Sequence, residues 1–390
     1  MDNRKPLASM WLLPRFKKFI QGYMRHGLVV PLGLLISVLF IAGLMLSGTG
    51  NKSSSDYYQS VSKMDIERAE VVFDAGIYIQ KLYDLDLQSK TFSADGYAWI
   101  SWTGNLETWD DRTKQKPADT LEFLNAVDKD SFKETLSLDS PYKDELGRWY
   151  QSKVFSGRFL ASDIDLKRFP FETIRLPVII ESDDFWINEA IMLVNKSGGS
   201  GVSNMNSLNG YSYDDLKVAS RKHVYTTAFG LDHDSLKAFG KNQLSEYSNI
   251  VIELVYKRAP GSSAWTLFVP LLAVIWITII SPLIDPRNLE PKVALPASVV
   301  LSLVFLQQGY RQMLPASISY LTFMDKIYAI AYVITFIVFI EAVATTNMCL
   351  RVDPRLWKRV YPVIRKREKN LHCVLLCVLI LLLPILWFLP

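Results

Sequence analysis

Val293–Pro315 reads VALPASVVLSLVFLQQGYRQMLP. Its apolar run, Val293 to Leu306, is fourteen residues long, short of the roughly 20 that a lipid-facing helix needs to span a bilayer. Gln307, Gln308, Tyr310, Arg311 and Gln312 follow, side chains that hydrocarbon rejects and a water-lined cavity accepts. Steps of four, three, four and three pick out one helical face: Ala294, Ser298, Leu301, Phe305 and Gln308. Small, hydroxyl, two bulky apolar groups and an amide suit the lining of a narrow pore with a hydrophobic constriction. A buried helix inside a multi-helix bundle gathers similar residues and is the alternative reading of this segment alone.

The neighbouring sequence favours the pore. Four more apolar stretches flank it: Leu28–Ser47, Ala259–Ile284, Ile327–Thr346 with the single acid Glu341, and Leu371–Pro390. Each is long enough to cross a bilayer, so the chain is expected to be a membrane protein with five spans. Arg4, Lys5, Arg15, Lys17, Lys18 and Arg25 precede the first, and eight basic residues between Arg351 and Lys369 precede the last. The positive-inside rule places both ends in the cytoplasm and exports residues 49–258. That exported part has 25 Lys+Arg against 32 Asp+Glu, a net −7, which speaks against a nucleic-acid partner. Leu12, Leu13, Phe16, Phe19, Ile20 and Tyr23 recur at helical spacing, predicting a cytoplasmic amphipathic segment over 1–26. The stretch 27–48 is expected to be an uncleaved anchor, with a cleaved signal peptide as the alternative.

Cys349, Cys373 and Cys377 lie within or at the end of spans, so the exported part is expected to lack disulfides. No Cys/His cluster, G-x-S-x-G, H-E-x-x-H or Walker-type loop occurs, and neither a metal, a cofactor nor an enzymatic activity is expected. A charged helical stretch around Met64–Val72 precedes short alternating runs: Gly76–Ile79, Thr91–Trp102, Ser152–Leu160, Ile174–Ile180, Ala190–Val194, Val218–Phe229 and Asn249–Tyr256. Their spacing predicts an immunoglobulin-like β-sandwich over 49–258, followed over 259–390 by a four-helix membrane bundle with spans at 259–284, 290–312, 326–347 and 370–390. Gly198–Gly210 is expected to be a flexible loop.

Four patterns then coincide in order. GIYIQKLYDLDLQSKTFSADGYAWISW (Gly76–Trp102) resembles the first hairpin of the extracellular domain of prokaryotic pentameric ligand-gated ion channels, the Cys-loop receptor superfamily without its disulfide. DLKRFPFE (Asp165–Glu172) is similar to that family's FPFD turn, EYSNIVIELVYKRAP (Glu246–Pro260) to its last strand, and LPASISYLTFMD (Leu314–Asp325) to the loop between its second and third channel helices. The chain departs from the family in carrying Glu172 for the aspartate, Ile174 for the following glutamine, Trp102-Thr103-Gly104 for a Trp-x-Asp, and Ala118-Asp119-Thr120 where a Trp-x-Pro stands ahead of Phe123-Leu124-Asn125-Ala126. An extra N-terminal span also lies outside the usual four.

The resemblance implies a homopentamer in a bacterial inner membrane that passes ions when an agonist or a proton binds the periplasmic domain. It places Ala294, Ser298, Leu301, Phe305 and Gln308 in the pore, with Leu301 in the mid-pore leucine ring and Pro296 facing away. It implies coupling through Asp86, Phe169, Pro170, Phe171, Glu172 and Arg258 against the loop from Pro315 to Tyr320. Glu181, Phe185 and Tyr225, beneath a capping hairpin at about Phe229–Tyr247, match its agonist site, where aromatics would hold an amine by cation–π attraction; the sandwich core is the alternative place for Phe185, Trp186 and Tyr225. Asp183 and Asp184 are the candidates for proton sensing. Asp285, Arg287, Glu290 and Lys292 at the inner mouth sum to zero, and Glu290 with the acidic exported domain points to cations. The alternative is a non-conducting receptor of the same architecture that signals through its N-terminal helix.

Overall fold

The computed structural model describes residues 57–103, 117–162, 164–195, 199–204, 208–227, 245–259 and 261–388. The expected amphipathic segment and anchor, and most of the capping hairpin, lie outside the described residues.

The described strands between Tyr57 and Arg258 form two β-sheets. The five-stranded sheet contains β1 (Tyr57–Ser60), β11 (Tyr211–Tyr225), β12 (Ser245–Arg258), β8 (Thr173–Trp186) and β4 (Leu121–Phe123), in that order. In the other, β10 (Gly201–Val202), β2 (Val71–Asp86), β3 (Thr91–Trp102), β7 (Trp149–Leu160) and β5 (Lys133–Leu136) run side by side; β9 (Ala190–Val194) also pairs with β2, and β6 (Tyr142–Lys143) with β7. Alternation explains the packing. Phe92, Ala94, Ala98 and Ile100 of β3 turn inward together with Leu176, Val178 and Ile180 of β8 and Ile250, Ile252 and Leu254 of β12, giving one core between the sheets. The Phe123 and Phe155 rings meet across it, 4.6 Å between centroids.

Several expectations shift in extent. The charged helix α1 is confined to Lys63–Arg68 by a Ser62–Asp65 capping box at its start, and Val71 and Val72 beyond it join β2 beside β9, as β-branched residues favour. The Gly-rich segment from 198 to 210 is not only loop, since β10 lies parallel to β2 there. Four short strands (β1, β4, β5 and β6) carry too few alternations to be read from sequence.

The C-terminal part is helical: α2 (Ser262–Ile280), α3 (Leu289–Arg311), α4 (Phe323–Arg351) and α5 (Trp357–Phe388). Three segments, Trp265–Leu283, Leu289–Arg311 and Phe323–Arg351, are long and apolar enough to cross a bilayer, which makes this a membrane protein. The helix containing the last expected span begins at Trp357, well before residue 370, because Val360, Ile364 and Glu368 bury one side of its polar start. A Thr322–Asp325 capping box opens α4.

Candidate functional site

The helix α3 is held along one side only. Lys292, Pro296, Val299, Leu303 and Tyr310 are buried within the chain, whereas Ala294, Ser298, Leu301, Phe305 and Gln308 are all exposed. Leu301 is 58% and Phe305 64% exposed, unusual for large apolar groups on so regular a stripe. Glu290, exposed in the first turn, lies one helical step below Ala294 on this face. Ser298 donates its hydroxyl to the Ala294 carbonyl at 2.9 Å and Ser302 to that of Ser298 at 3.1 Å, so both hydroxyls are satisfied inside the helix.

The C-terminal end of α3 is clamped to the β-domain. The turn around Phe169-Pro170-Phe171, whose Phe169–Pro170 bond is cis, points its rings into the helices. Phe169 is fully buried and stacks on Tyr310 of α3, centroids 6.4 Å apart; Phe171 stacks on Phe268 of α2 at 5.7 Å and meets Phe323 of α4 at 6.4 Å. Tyr310 stacks in turn on Tyr328 of α4 at 5.1 Å and donates its hydroxyl to Asp325, while Arg311 pairs with the same carboxylate at 3.2 Å. Two backbone contacts tie the turn to the loop after α3, which includes buried Pro315. The Leu166 N–H donates to the Tyr320 hydroxyl oxygen at 2.9 Å, and the Phe323 N–H donates to the Lys167 carbonyl at 2.7 Å.

Behind the turn, Glu172 is buried and accepts at Oε1 from Arg258 Nε at 2.6 Å and from the Tyr211 hydroxyl at 2.5 Å. The Arg258 guanidinium lies 5.0 Å from the ring centroids of both Phe169 and Tyr211, so cation–π attraction joins the charge pair to the apolar tip. Burial, and next the Glu172 carboxylate, push the Tyr211 phenol well above its usual pKa, keeping it a neutral donor.

Asp86 does not enter this cluster. Its carboxylate accepts from the Gln88 N–H at 2.8 Å and the Ser89 hydroxyl at 2.7 Å, bonds that hold its pKa below the usual carboxylate range, the Ser89 hydroxyl first. Short-range turn chemistry captures the side chain, and Tyr211, which the sequence did not single out, is the third member instead. The hairpin still reaches the helices through Gln88, whose amide donates to the Gln312 carbonyl at the end of α3.

At the opposite end, Lys292 is buried, pairs with Glu368 of α5 and donates to the Ile284 carbonyl at 3.3 Å. Arg365 donates to the Leu283 carbonyl at 2.7 Å, and Arg367 pairs with Glu341. Glu341 thus sits in an ion pair with α5. The Arg287 guanidinium stands 5.3 Å from the Tyr361 ring centroid, and that phenol donates to Asp285 at 3.4 Å. The four charges at this end are therefore not equivalent: Lys292 is neutralised inside the chain and Glu290 is left exposed.

In the β-domain, Glu181 is buried and accepts from the Tyr225 hydroxyl at 2.7 Å and the Asn249 amide at 3.4 Å, and its Oε2 lies 2.9 Å from His223 Nδ1. The Tyr225 and Tyr247 rings meet edge-on at 5.6 Å, with Trp186 5.8 Å from Tyr247. Phe185, by contrast, belongs to the buried core, so the aromatics beside Tyr225 are Tyr247 and Trp186. The pairing steps from Tyr247↔Trp186 to Asn249↔Glu181, so the extra residues, Phe185 among them, lie in β8, and simple alternation does not carry across them. The side chains of Asp183 and Asp184 lie outside the described residues. On the other sheet an open cavity of about 430 Å³ is lined by Trp99, Trp149, Tyr150, Arg148, Asp144 and Asn195 among others; it escaped the sequence because its walls come from three separate segments.

A β-domain docked through an aromatic turn onto apolar helices defines this membrane protein. No protein-family model and no curated protein matches the chain.

Proposed function

We propose that the chain is one subunit of a homopentameric ligand-gated channel that passes cations across a bacterial inner membrane, as its resemblance to the prokaryotic pentameric channels implies. One observation carries the reading. The stripe Ala294–Ser298–Leu301–Phe305–Gln308 is left uncovered by its own chain, while the same helix is anchored on its other side and clamped at its C-terminal end to the β-domain. A stripe containing Leu301 and Phe305 has no reason to face lipid next to Ser298 and Gln308, but five copies around an axis form a conduit with an apolar constriction. Ligand-driven movement of the β-domain then reaches α3 through Phe169 and Tyr310, a rigid-body coupling between two states. Cations are favoured because Glu290 lies on the conduit face, whereas Lys292 is turned inward and paired with Glu368. The Glu181–Tyr225–Tyr247 group is the agonist site of this reading, with an amine as the chemical class that its carboxylate and aromatics suit.

Particle images of the detergent-solubilised chain should show a five-fold ring with a central passage. In planar bilayers under a salt gradient, the reversal potential should move toward the cation equilibrium value, and Leu301→Ala should increase resting current by weakening the dewetting barrier. A monomer, or a ring with no central passage, overturns the reading.

A further inference from the structure

At the base of α3, four helices close on a small polar cavity of about 10 Å³. Ser281 just after α2, Lys292 of α3, Glu341 of α4 and Glu368 of α5 supply its polar walls, with Val338 and Ala342 among the apolar ones. None of the four polar residues is more than 2% exposed. Much of this wall is already committed. Lys292 donates to Glu368 Oε1 and to the Ile284 carbonyl at 3.3 Å. Glu341 accepts from Arg367 at Oε2 and from the Thr345 hydroxyl at 3.3 Å. Three groups keep hydrogen-bonding capacity. Glu368 Oε2 and the Ser281 hydroxyl have no hydrogen-bond partner among the described residues. Arg365 Nη1 stands 3.8 Å from that carboxylate oxygen, too far for a hydrogen bond. Lys292 has three ammonium protons, and its two bonds use two of them. An unpaired carboxylate oxygen or hydroxyl in an interior is costly.

We propose that this cavity is a binding site for one structural water molecule, held by Glu368, Ser281 and Lys292. Size and chemistry both select the occupant. A buried water needs about 10–15 Å³ and makes about three hydrogen bonds; the cavity supplies about 10 Å³ and three groups. The water donates to Glu368 Oε2, accepts the third Lys292 proton and shares a hydrogen bond with the Ser281 hydroxyl. A metal cation suits the site less well. Lys292 and Arg367 already neutralise Glu368 and Glu341, so a cation would bury a net charge beside an ammonium group, which interiors resist. An apolar occupant would leave all three groups unpaired. The bridge joins Ser281 to the ion pair that fixes the first turn of α3. The segment after α2, the base of α3 and α5 then share one hydrogen-bonded network. The site stands independently of the proposed function.

The first test is an electron cryo-microscopy map of the full chain in lipid nanodiscs, at a resolution that shows ordered water. A peak is expected about 2.7–3.2 Å from Glu368 Oε2, Ser281 Oγ and Lys292 Nζ. A map that resolves these side chains and has no peak overturns the proposal. So does a peak that strengthens when sodium is exchanged for thallium, which marks a cation. The second test is thermal denaturation, where the sign decides. With the water in place, Ser281→Ala removes one of its partners and should lower the midpoint by about 2 °C. With no water to bind, the same substitution removes an unpaired buried hydroxyl, and a midpoint that holds or rises overturns the proposal. In the Lys292→Met, Glu368→Leu background both charged partners are gone, so the loss on Ser281→Ala should vanish. An equal loss there would mean that Ser281 acts without the bridge, and overturns it as well. A ring with no central passage would leave this site standing, and a map without the peak would leave the channel reading standing.

Discussion

Phe169 of the β-domain and Tyr310 of α3 stack with 6.4 Å between ring centroids and 24° between planes, both fully or almost fully buried. They are the meeting point of two parts of the chain that would otherwise be separate units: one side is a turn between strands, the other the last turn of the helix whose opposite face is bare.

Phe169→Ala should loosen the junction more than the β-domain. Removing a fully buried phenylalanine costs about 3–5 kcal/mol where the site cannot collapse. Hydrogen exchange should rise together at Leu166–Phe171 and Tyr320–Asp325, whereas β3 and β12 stay protected. Faster exchange throughout the sandwich instead would show that the ring only supports its own domain.

Glu172 and Arg258 should behave as one unit. Their side chains are 0% and 11% exposed, so removing either partner strands a charge and costs about 3–5 kcal/mol. In thermal denaturation in detergent, Glu172→Gln and Arg258→Met should each lower the midpoint strongly. The double variant should lose much less than the two added together. Additive losses would mean that the pair is not coupled.

Accessibility of introduced cysteines should follow the two sides of α3. With Cys349, Cys373 and Cys377 replaced, Ser298→Cys, Leu301→Cys and Phe305→Cys should react with a charged thiol reagent, and Val299→Cys and Leu303→Cys should not. Charged reagents require water, so reaction on the first side alone points to a hydrated axis, and protection of both sides points to lipid or protein cover.

Alkaline pH should weaken the β-domain through its buried phenols. Burial, and next Tyr213, push Tyr256 up to about 12, against about 10 when unfolded. A folded-state value raised above the unfolded one means that the stabilisation is complete below about pH 10 and is lost as pH rises through about 12. Tyrosinate absorbance should show a late-titrating fraction that shrinks in Tyr256→Phe, and that variant's stability should fall less steeply above pH 10. An unchanged titration would place this phenol in water.

Replacing the buried Lys292–Glu368 pair should be milder than breaking it. Lys292→Met alone leaves Glu368 without its cation in the interior, although Arg365 stands 3.8 Å away. Lys292→Met with Glu368→Leu removes both charges, and such apolar replacement is often neutral. The double variant should melt above either single one.

Periodicity made much of this chain legible. Alternation located the long strands, apolar length located the helices, and steps of three and four picked out the side of α3 that its own chain leaves bare. Asp86 was expected beside Glu172 and Arg258, yet its carboxylate accepts from the Gln88 N–H two residues on, a local bond that spacing to distant partners does not reveal. Phe185 lies where the pairing of β8 with β12 is irregular, and its ring packs in the core, one of the two readings that alternation leaves open for it.

The sequence by itself determined that a strand-rich polar segment precedes apolar helices, and which residues share a helix face, because those properties repeat every two or 3.6 residues along one element. Only the tertiary structure decided that Glu172 takes Arg258 and Tyr211, that Phe169 meets Tyr310, and that Lys292 is silenced by Glu368. Glu172 and Arg258 stand 86 positions apart, and Lys292 and Glu368 stand 76 apart. Such partners are chosen by which elements pack and which charges are thereby removed from water, and no local pattern encodes that choice.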